Sequence, residues 1–237
     1  MAYRIRLLQK APVTHDTWHL VFERPEGFGF RPGQATDMAL DLEGIEEERR
    51  PFTLTSAPEA ERLEFVIKSY PGHEGVTARL PDLRPGDTAR IGAAWGAIED
   101  RGPGVFVAGG AGITPFIPIL RGQARRGETG SRLVFANRTE ADIILREEWE
   151  DMTGLETLFV TDAEGDGFPD GPVDEALLAP LVDGSPVLYL CGPPPMAEAV
   201  TAALAELGVG DERIVTEDKP PDAERARMFG TVPGGPF

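Results

Sequence analysis

The chain has 237 residues, 23 Lys and Arg against 40 Asp and Glu, and a formal net charge of −17. Its length suits one large domain or two small ones, and a 41% hydrophobic, 27% charged composition is that of a globular protein with a real core. The sign of the charge excludes the basic field that nucleic-acid binding or adhesion to anionic lipid requires.

The first hundred residues read as β. Short apolar stretches at 3–8, 17–22, 35–40, 52–55, 63–69 and 88–91 alternate with turn signals such as Arg31-Pro-Gly33, Pro71-Gly72 and Arg84-Pro-Gly86. Strands at this spacing predict a small antiparallel barrel, with one helix over 75–83. From about Gly104 the pattern changes. Strands at 105–108, 132–136, 157–160, 187–190 and 213–216 alternate with helices at 115–126, 146–152, 173–181 and 196–207, which implies βαβ units and a parallel sheet. The predicted domains are 1–100 and 101–219, joined near Asp100–Pro103, with 220–237 as a Pro- and Gly-rich tail. The second part is the more acidic, with a net of −12 against −5 for the first.

One cysteine, Cys191, excludes an internal disulfide, a zinc cage and a four-thiolate cluster. No metal site is expected. No apolar run is long enough to span a membrane, and MAYRIRLLQK lacks the features of a signal peptide, so a cytoplasmic location is expected.

Three segments carry chemistry. Gly109-Gly-Ala-Gly-Ile-Thr-Pro115 follows a strand and opens a helix, where glycines let backbone N–H groups approach a diphosphate. Thr114 suits the N-cap and Pro115 the first helical position. Steric need alone also explains glycines in such a turn. Cys191-Gly-Pro-Pro-Pro-Met196 lies at the carboxyl end of a later strand, where open α/β sheets bind ligands, although a lone thiol is often simply buried. In Arg49-Arg-Pro-Phe-Thr-Leu-Thr-Ser-Ala-Pro58, alternation puts Arg50 and Phe52 on one face and Thr53 on the other. Arg suits a phosphate, Phe a flat ring and a hydroxyl a ring nitrogen, while Phe52 also fits a barrel core.

Together and in this order, these motifs resemble the ferredoxin–NADP⁺ reductase-like flavoprotein superfamily over about residues 3–218. The resemblance implies a flavin-binding β-barrel followed by a Rossmann-like nicotinamide-nucleotide domain. Arg50-Pro51-Phe52-Thr53 matches the family's Arg-x-Tyr/Phe-Ser/Thr motif, so Arg50 would hold the flavin phosphate, Phe52 line the flavin and Thr53 bond near N5. Ile67, Lys68 and Ser69 resemble the end of a strand lining the flavin. Gly75, Val76 and Thr77 resemble a second phosphate element, and Gly92-Ala-Ala-Trp-Gly96 resembles the family's Gly-Pro-x-Gly turn. Gly110, Gly112, Ile113 and Thr114 would hold the nicotinamide diphosphate. Cys191, Gly192, Pro193 and Met196 would place the nicotinamide, with Cys191 in a positioning role.

Glu217 sits where relatives carry an acid near the flavin edge, and it also reads as a solvated charge. Many relatives have an aromatic two residues later. Here Lys219 stands there, followed by a tail with Phe229 and Phe237 that either folds back over the flavin or leaves it open. The resemblance implies FAD rather than FMN, and NADH or NADPH as donor. Arg138, with help from Arg146, could meet a 2′-phosphate, while Phe135–Asn137 and Asp142–Arg146 look like the NADH-using cytochrome b5 reductase branch. The implied activity is that of an NAD(P)H oxidoreductase passing electrons to a separate carrier or small molecule. The alternative is an electron-transfer subunit without independent turnover. The charge favours a small or basic acceptor unless Arg49, Arg50, Arg79, Arg225 and Arg227 cluster near the flavin.

Overall fold

A computed structural model of the chain describes residues 2–72, 74–96, 98–163, 168–169, 171–184, 186–218 and 220–229. Lys219 and Phe237 lie outside them. The chain divides into two compact units: residues 1–97 with 218–237, and residues 98–217.

The first unit is built on six strands: β1 (Tyr3–Pro12), β2 (Thr17–Glu23), β3 (Ala35–Leu40), β4 (Arg50–Thr53), β5 (Arg62–Lys68) and β6 (Thr88–Ile91). Their order is β4-β3-β6-β1-β2-β5, every neighbouring pair is antiparallel, and the sheet curls into a nearly closed barrel. Ile5, Leu7, Leu20, Phe22, Met38, Leu40, Phe65 and Ile91 fill its interior. Their alternation with exposed residues along β1 is the period-two pattern of a half-buried strand. The helix predicted over 75–83 is shorter than expected. α1 spans Val76–Arg79, and Leu80–Asp82 form a 3₁₀ turn. Pro81 has no N–H to give Thr77, and its ring crowds the preceding turn, so the α-helix stops before it.

The second unit holds β7 (Gly104–Gly109), β8 (Ser131–Asn137), β9 (Leu155–Thr161), β10 (Val187–Cys191) and β11 (Ile214–Val215), all parallel, in the order β11-β10-β7-β8-β9. Between them run α2 (Phe116–Arg125), α3 (Arg146–Asp151), α4 (Glu175–Leu178) and α5 (Pro194–Glu206). Val105, Val107, Val134, Leu188 and Leu190 pack with Leu178 of α4 and with Val200 and Leu204 of α5. Facing the other way, Phe106 stacks on Tyr189 at 4.1 Å between ring centroids and meets Phe116 of α2 edge-on. Pro180 shortens α4 as Pro81 shortens α1, while Asp174 caps its start by accepting from the Leu177 N–H at 3.0 Å. α5 begins two residues earlier than predicted because Pro194 and Pro195 fit its first two positions, where no N–H is needed.

Residues 222–229, part of the segment whose composition reads as a tail, form α6 (Asp222–Phe229). Its helical face is too polar to signal a helix in sequence. Two anchors, Arg225 and Phe229, bind it to the barrel unit instead. Among the described residues no helix is long and apolar enough to cross a membrane. Replacing Asp174 with Ala removes the cap of α4 and is expected to cost about 1 kcal/mol, read by denaturant titration.

Candidate active site

In the barrel unit, β4 pairs with β3 so that Asp37 faces Pro51 and Ala35 faces Thr53. Directly opposed residues share a face of a sheet. Arg50 and Phe52 therefore lie on the face of Met38, toward the core, and Phe52 packs against it. Pro51 and Thr53 lie on the opposite face. Phe52 is a half-buried ring packed against the core, as one reading of the sequence expects. Arg50 is exposed, and its Nη2 lies 3.8 Å from Glu48 Oε2.

Gly75 caps α1 with φ 94°, a conformation that favours glycine, and no side chain caps the first turn. A Cβ at Gly75 would run into the Glu48 carboxylate and come within 3.6 Å of Arg50 Nη2. A carboxylate thus already lies in the space bounded by Arg50 and the start of α1. That donor set suits an anionic oxygen, so these residues fit a flavin phosphate. Glu48 was not singled out in sequence, because it is one of three consecutive glutamates.

Ile67 belongs to the barrel core and Val76 is fully buried, so neither offers a side chain to a ligand. Lys68, at the end of β5, is held by Asp16 at 3.1 Å. Burial would raise the Asp16 carboxyl, but hydrogen bonds from Lys68, Thr14 and Thr17 outweigh it and hold the group below the usual carboxylate range. Ser69 Oγ donates to the Thr77 carbonyl at 2.9 Å, tying the end of β5 to α1.

In the second unit, the loops after β7 and β10 leave the carboxyl ends of adjacent strands. The sheet order reverses there, which is the ligand-binding crevice of open α/β sheets. The two loops interlock through glycines. A Cβ at Gly112 would strike the Cys191 carbonyl. One at Gly109 would strike Met196 Sδ and lie 2.9 Å from Pro193 Cδ, and one at Gly192 would lie 3.2 Å from the Gly109 nitrogen. Gly110 is different: it has φ 50°, and its Cβ direction meets nothing within 4 Å. Three of these glycines therefore serve loop packing, and Gly110 is the open one. Ile113 is buried.

Thr114 does not cap α2. Gly110–Ile113 form a 3₁₀ turn, the helix begins after Pro115, and Thr114 Oγ1 donates back to the Ala111 carbonyl at 2.9 Å. The tight turn uses up the hydroxyl that a cap would need.

Burial, and then the Glu217 carboxylate, push the Cys191 thiol up to about 12. Glu217 is exposed, beyond β11, and β11 pairs with β10 in the register that carries Glu217 toward Cys191. The structure thus brings these two residues together at one end of the sheet. Arg138 follows β8, and its Nη2 lies 2.7 Å from Oδ1 of the buried Asp142, which also accepts from Thr139 at 2.8 Å. Arg146 is paired with Glu140 and, at 2.8 Å, with Glu150. Asn137, the last residue of β8, is buried with its Oδ1 unpartnered among the described residues. Its sequence signal was a single polar residue closing the apolar run Leu133–Ala136.

A barrel with Arg50 beside the start of α1, and a parallel sheet with a glycine loop at its switch point, are the two parts expected of a flavoprotein oxidoreductase. Comparison with known proteins agrees. Residues 4–99 match the oxidoreductase FAD-binding domain, and residues 106–202 match the oxidoreductase NAD-binding domain. The chain is 31% identical to NADH-cytochrome b5 reductase 1 of Aspergillus terreus over 239 residues, covering 89% of this chain and 79% of that protein. It is 30% identical to NADH-cytochrome b5 reductase 2 of Mycosarcoma maydis, covering 80% of this chain and 61% of that one, so it spans about three fifths of that relative. The FAD/NAD-binding domain of nitric oxide dioxygenase from Vibrio cholerae has the same fold, with a TM-score of 0.81 at 22% identity over 92% of this chain and 98% of that one. The chain belongs to the ferredoxin–NADP⁺ reductase-like oxidoreductase superfamily and has the NADH-cytochrome b5 reductases among its relatives.

Gly112→Ala is expected to lower stability by about 3 kcal/mol, because backbone must move. Gly110→Ala should cost only about 1 kcal/mol, from the left-handed backbone, while weakening dinucleotide binding more than Gly112→Ala weakens it per unit of stability lost. Thermal melts and nucleotide titrations separate the two. At any pH below 9 the folded Cys191 should carry about a thousandfold less thiolate than an ordinary cysteine, so iodoacetamide should label it only after denaturation.

Proposed function

We propose that this chain oxidises NADH, passes the reducing equivalents through FAD bound on the barrel unit, and reduces a separate small or basic acceptor. The flavin, when bound, supplies the chemistry of accepting a hydride and releasing electrons singly or in pairs. The chain's own residues bind and orient. Arg50 and the start of α1 hold the flavin phosphate, Phe52 lines the ring system, and the Thr53 hydroxyl offers a hydrogen bond near its reactive nitrogen. Ser69 acts indirectly, by fixing α1 through Thr77.

On the second unit, Gly110 gives the dinucleotide diphosphate its approach, and the loop packing of Gly109, Gly112 and Gly192 keeps that approach rigid. Cys191, neutral at physiological pH, packs beside the nicotinamide. A neutral thiol there presents no charge to a ring that becomes cationic on losing hydride. Glu217, exposed beside it, would hold or move a proton at the solvent edge of the site. The observation that carries this reading is the open Gly110 at the carboxyl end of β7, in a unit that matches an NAD-binding domain.

The preference for NADH rests on the segment after β8. A 2′-phosphate needs cationic partners, and a free 2′-hydroxyl needs a polar one. Arg138 is committed to Asp142, and Arg146 to Glu140 and Glu150. A second anion would have to displace carboxylates already in place, whereas the Asn137 Oδ1 acceptor suits a neutral hydroxyl.

The acceptor reading rests on charge. Arg50 faces Glu48, Arg79 binds Asp82 at 2.6 Å, and Arg225 binds Asp37 at 2.7 Å. Arg49 lies over the Phe229 ring. Of the five arginines named, Arg50, Arg79 and Arg225 are thus paired with carboxylates, which weakens the field that would steer an acidic carrier, while Arg49 and the exposed Arg227 keep their charge.

Purified protein should be yellow, and anaerobic NADH should bleach it faster than NADPH does. A colourless protein that takes up no added FAD would refute the function. Asp142→Asn should raise kcat/KM for NADPH by about tenfold, with little change for NADH. Reduction of a basic carrier protein should slow on the order of tenfold as salt rises from low to physiological strength, and reduction of anionic ferricyanide should not.

A further inference from the structure

α6 presents only Arg225, Met228 and Phe229 to the barrel unit, and its other side chains are exposed. Arg225 keeps 11% of its side chain exposed. Its Nη1 donates to Asp37 Oδ1 at 2.7 Å, and its guanidinium lies 5.0 Å from the centre of the Trp95 ring. Trp95 Nε1 donates to the other Asp37 oxygen at 3.1 Å, so one carboxylate binds helix and barrel together. Four residues on, Phe229 is buried against Ala2 and Ala39. Gly92 is flush with it, since a Cβ there would lie 3.0 Å from Phe229 Cα, and the Arg49 guanidinium covers the ring at 5.0 Å. The Ala93 N–H donates to the Met228 carbonyl at 3.4 Å.

These anchors converge on β3 and the start of β4. Asp37 opposes Pro51, and Ala35 opposes Thr53, so Asp37, Pro51 and Thr53 share the outer face of the sheet. Arg49 immediately precedes Arg50. β4 is four residues long, stands at the end of the strand order, and contains a proline that donates no hydrogen bond. Few backbone bonds therefore fix the strand that carries Arg50, Phe52 and Thr53. A buried ion pair is a poor source of net stability, because desolvation offsets its attraction, but it strongly penalises any misplacement of its partners.

We propose that α6 is a strap that holds β4 in place for the flavin, with Arg225 and Phe229 as positioning residues acting through Asp37 and Arg49. The strap rests on the reading of β4 as the flavin strand. It adds a role for the C-terminal segment: flavin retention is set partly by residues more than 170 positions away from the motif.

The test uses the full chain, the variants Arg225→Met and Phe229→Ala, and a chain ending at Asp218. FAD affinity is read from flavin fluorescence with apoprotein, alongside the visible circular dichroism of bound flavin, the melting temperature of each apoprotein and KM for NADH at saturating FAD. The strap predicts FAD binding weakened about tenfold or more, an altered flavin dichroism and an unchanged KM for NADH. It also predicts that a peptide of residues 219–229 restores FAD affinity to the shortened chain. If α6 serves stability alone, apoprotein melting falls while FAD affinity and dichroism stay within twofold of the parent, and the proposal fails. Phe229→Ala removes only a ring at the helix end and keeps the test decisive if the shortened chain does not fold. A full-length protein that binds no FAD would overturn the flavin reading itself, and the strap with it.

Discussion

The packing of the β7 loop on the β10 loop, backbone against backbone, is the constraint on which the nucleotide-binding unit's site depends. Gly112 lies against the Cys191 carbonyl, and Gly109 against Met196 and Pro193. Side chains at these glycines would force the loops apart and shift the segment that carries both Gly110 and Cys191. The three prolines after Gly192 serve the same end, since they restrict the loop and start α5 without unsatisfied N–H groups. The result is a rigid floor with one open glycine. A diphosphate needs that kind of surface: backbone donors that do not have to reorganise, and no Cβ in the way.

The barrel unit solves a related problem by another route. Its proposed phosphate cradle would be assembled from an exposed arginine on an edge strand and the first turn of a four-residue helix, two elements with little rigidity of their own. The supports lie elsewhere. Ser69 ties the helix to β5, Lys68 and Asp16 fix the end of that strand, and Phe52 leans on the core. Glu48 occupies the anion position between Arg50 and Gly75. On the proposed reading a flavin phosphate would replace one negative group by another there, so Arg50 would face a negative charge with or without the cofactor.

Much of this was legible in the chain. The change from short strands to alternating strands and helices marks two units, because β and α periodicities differ and loops announce themselves through Gly and Pro. Both loops were visible because glycines packed against backbone constrain their residue types, and Arg50–Thr53 because it matches a family motif. What escaped was long-range or contextual. α6 has hardly any apolar periodicity, and its partners Asp37 and Trp95 lie more than a hundred residues away. Pro81 and Pro180 cut helices that the surrounding pattern would have continued. Thr114 had the residue type of a cap, and only the 3₁₀ geometry of Gly110–Ile113 decided against it. Glu48 and Asn137 are ordinary residues given meaning by what faces them.

The charge of −17 changes meaning once the pairings are known. Three arginines near β4, Arg50, Arg225 and Arg79, are paired inside the unit with Glu48, Asp37 and Asp82. A pair of opposite charges a few ångströms apart has a short-ranged field, whereas unpaired carboxylates act over a Debye length of roughly 8 Å at physiological ionic strength. Approaching molecules therefore sense chiefly the excess acid. On the proposed reading NADH, itself an anion, would enter against that field and be held at contact by the backbone donors around Gly110. A negatively charged carrier protein would meet the same repulsion over a far larger surface, with no comparable donor array to offset it. On that reading the chain would discriminate by size as well as by sign, admitting small anions at a local site and turning large acidic surfaces away.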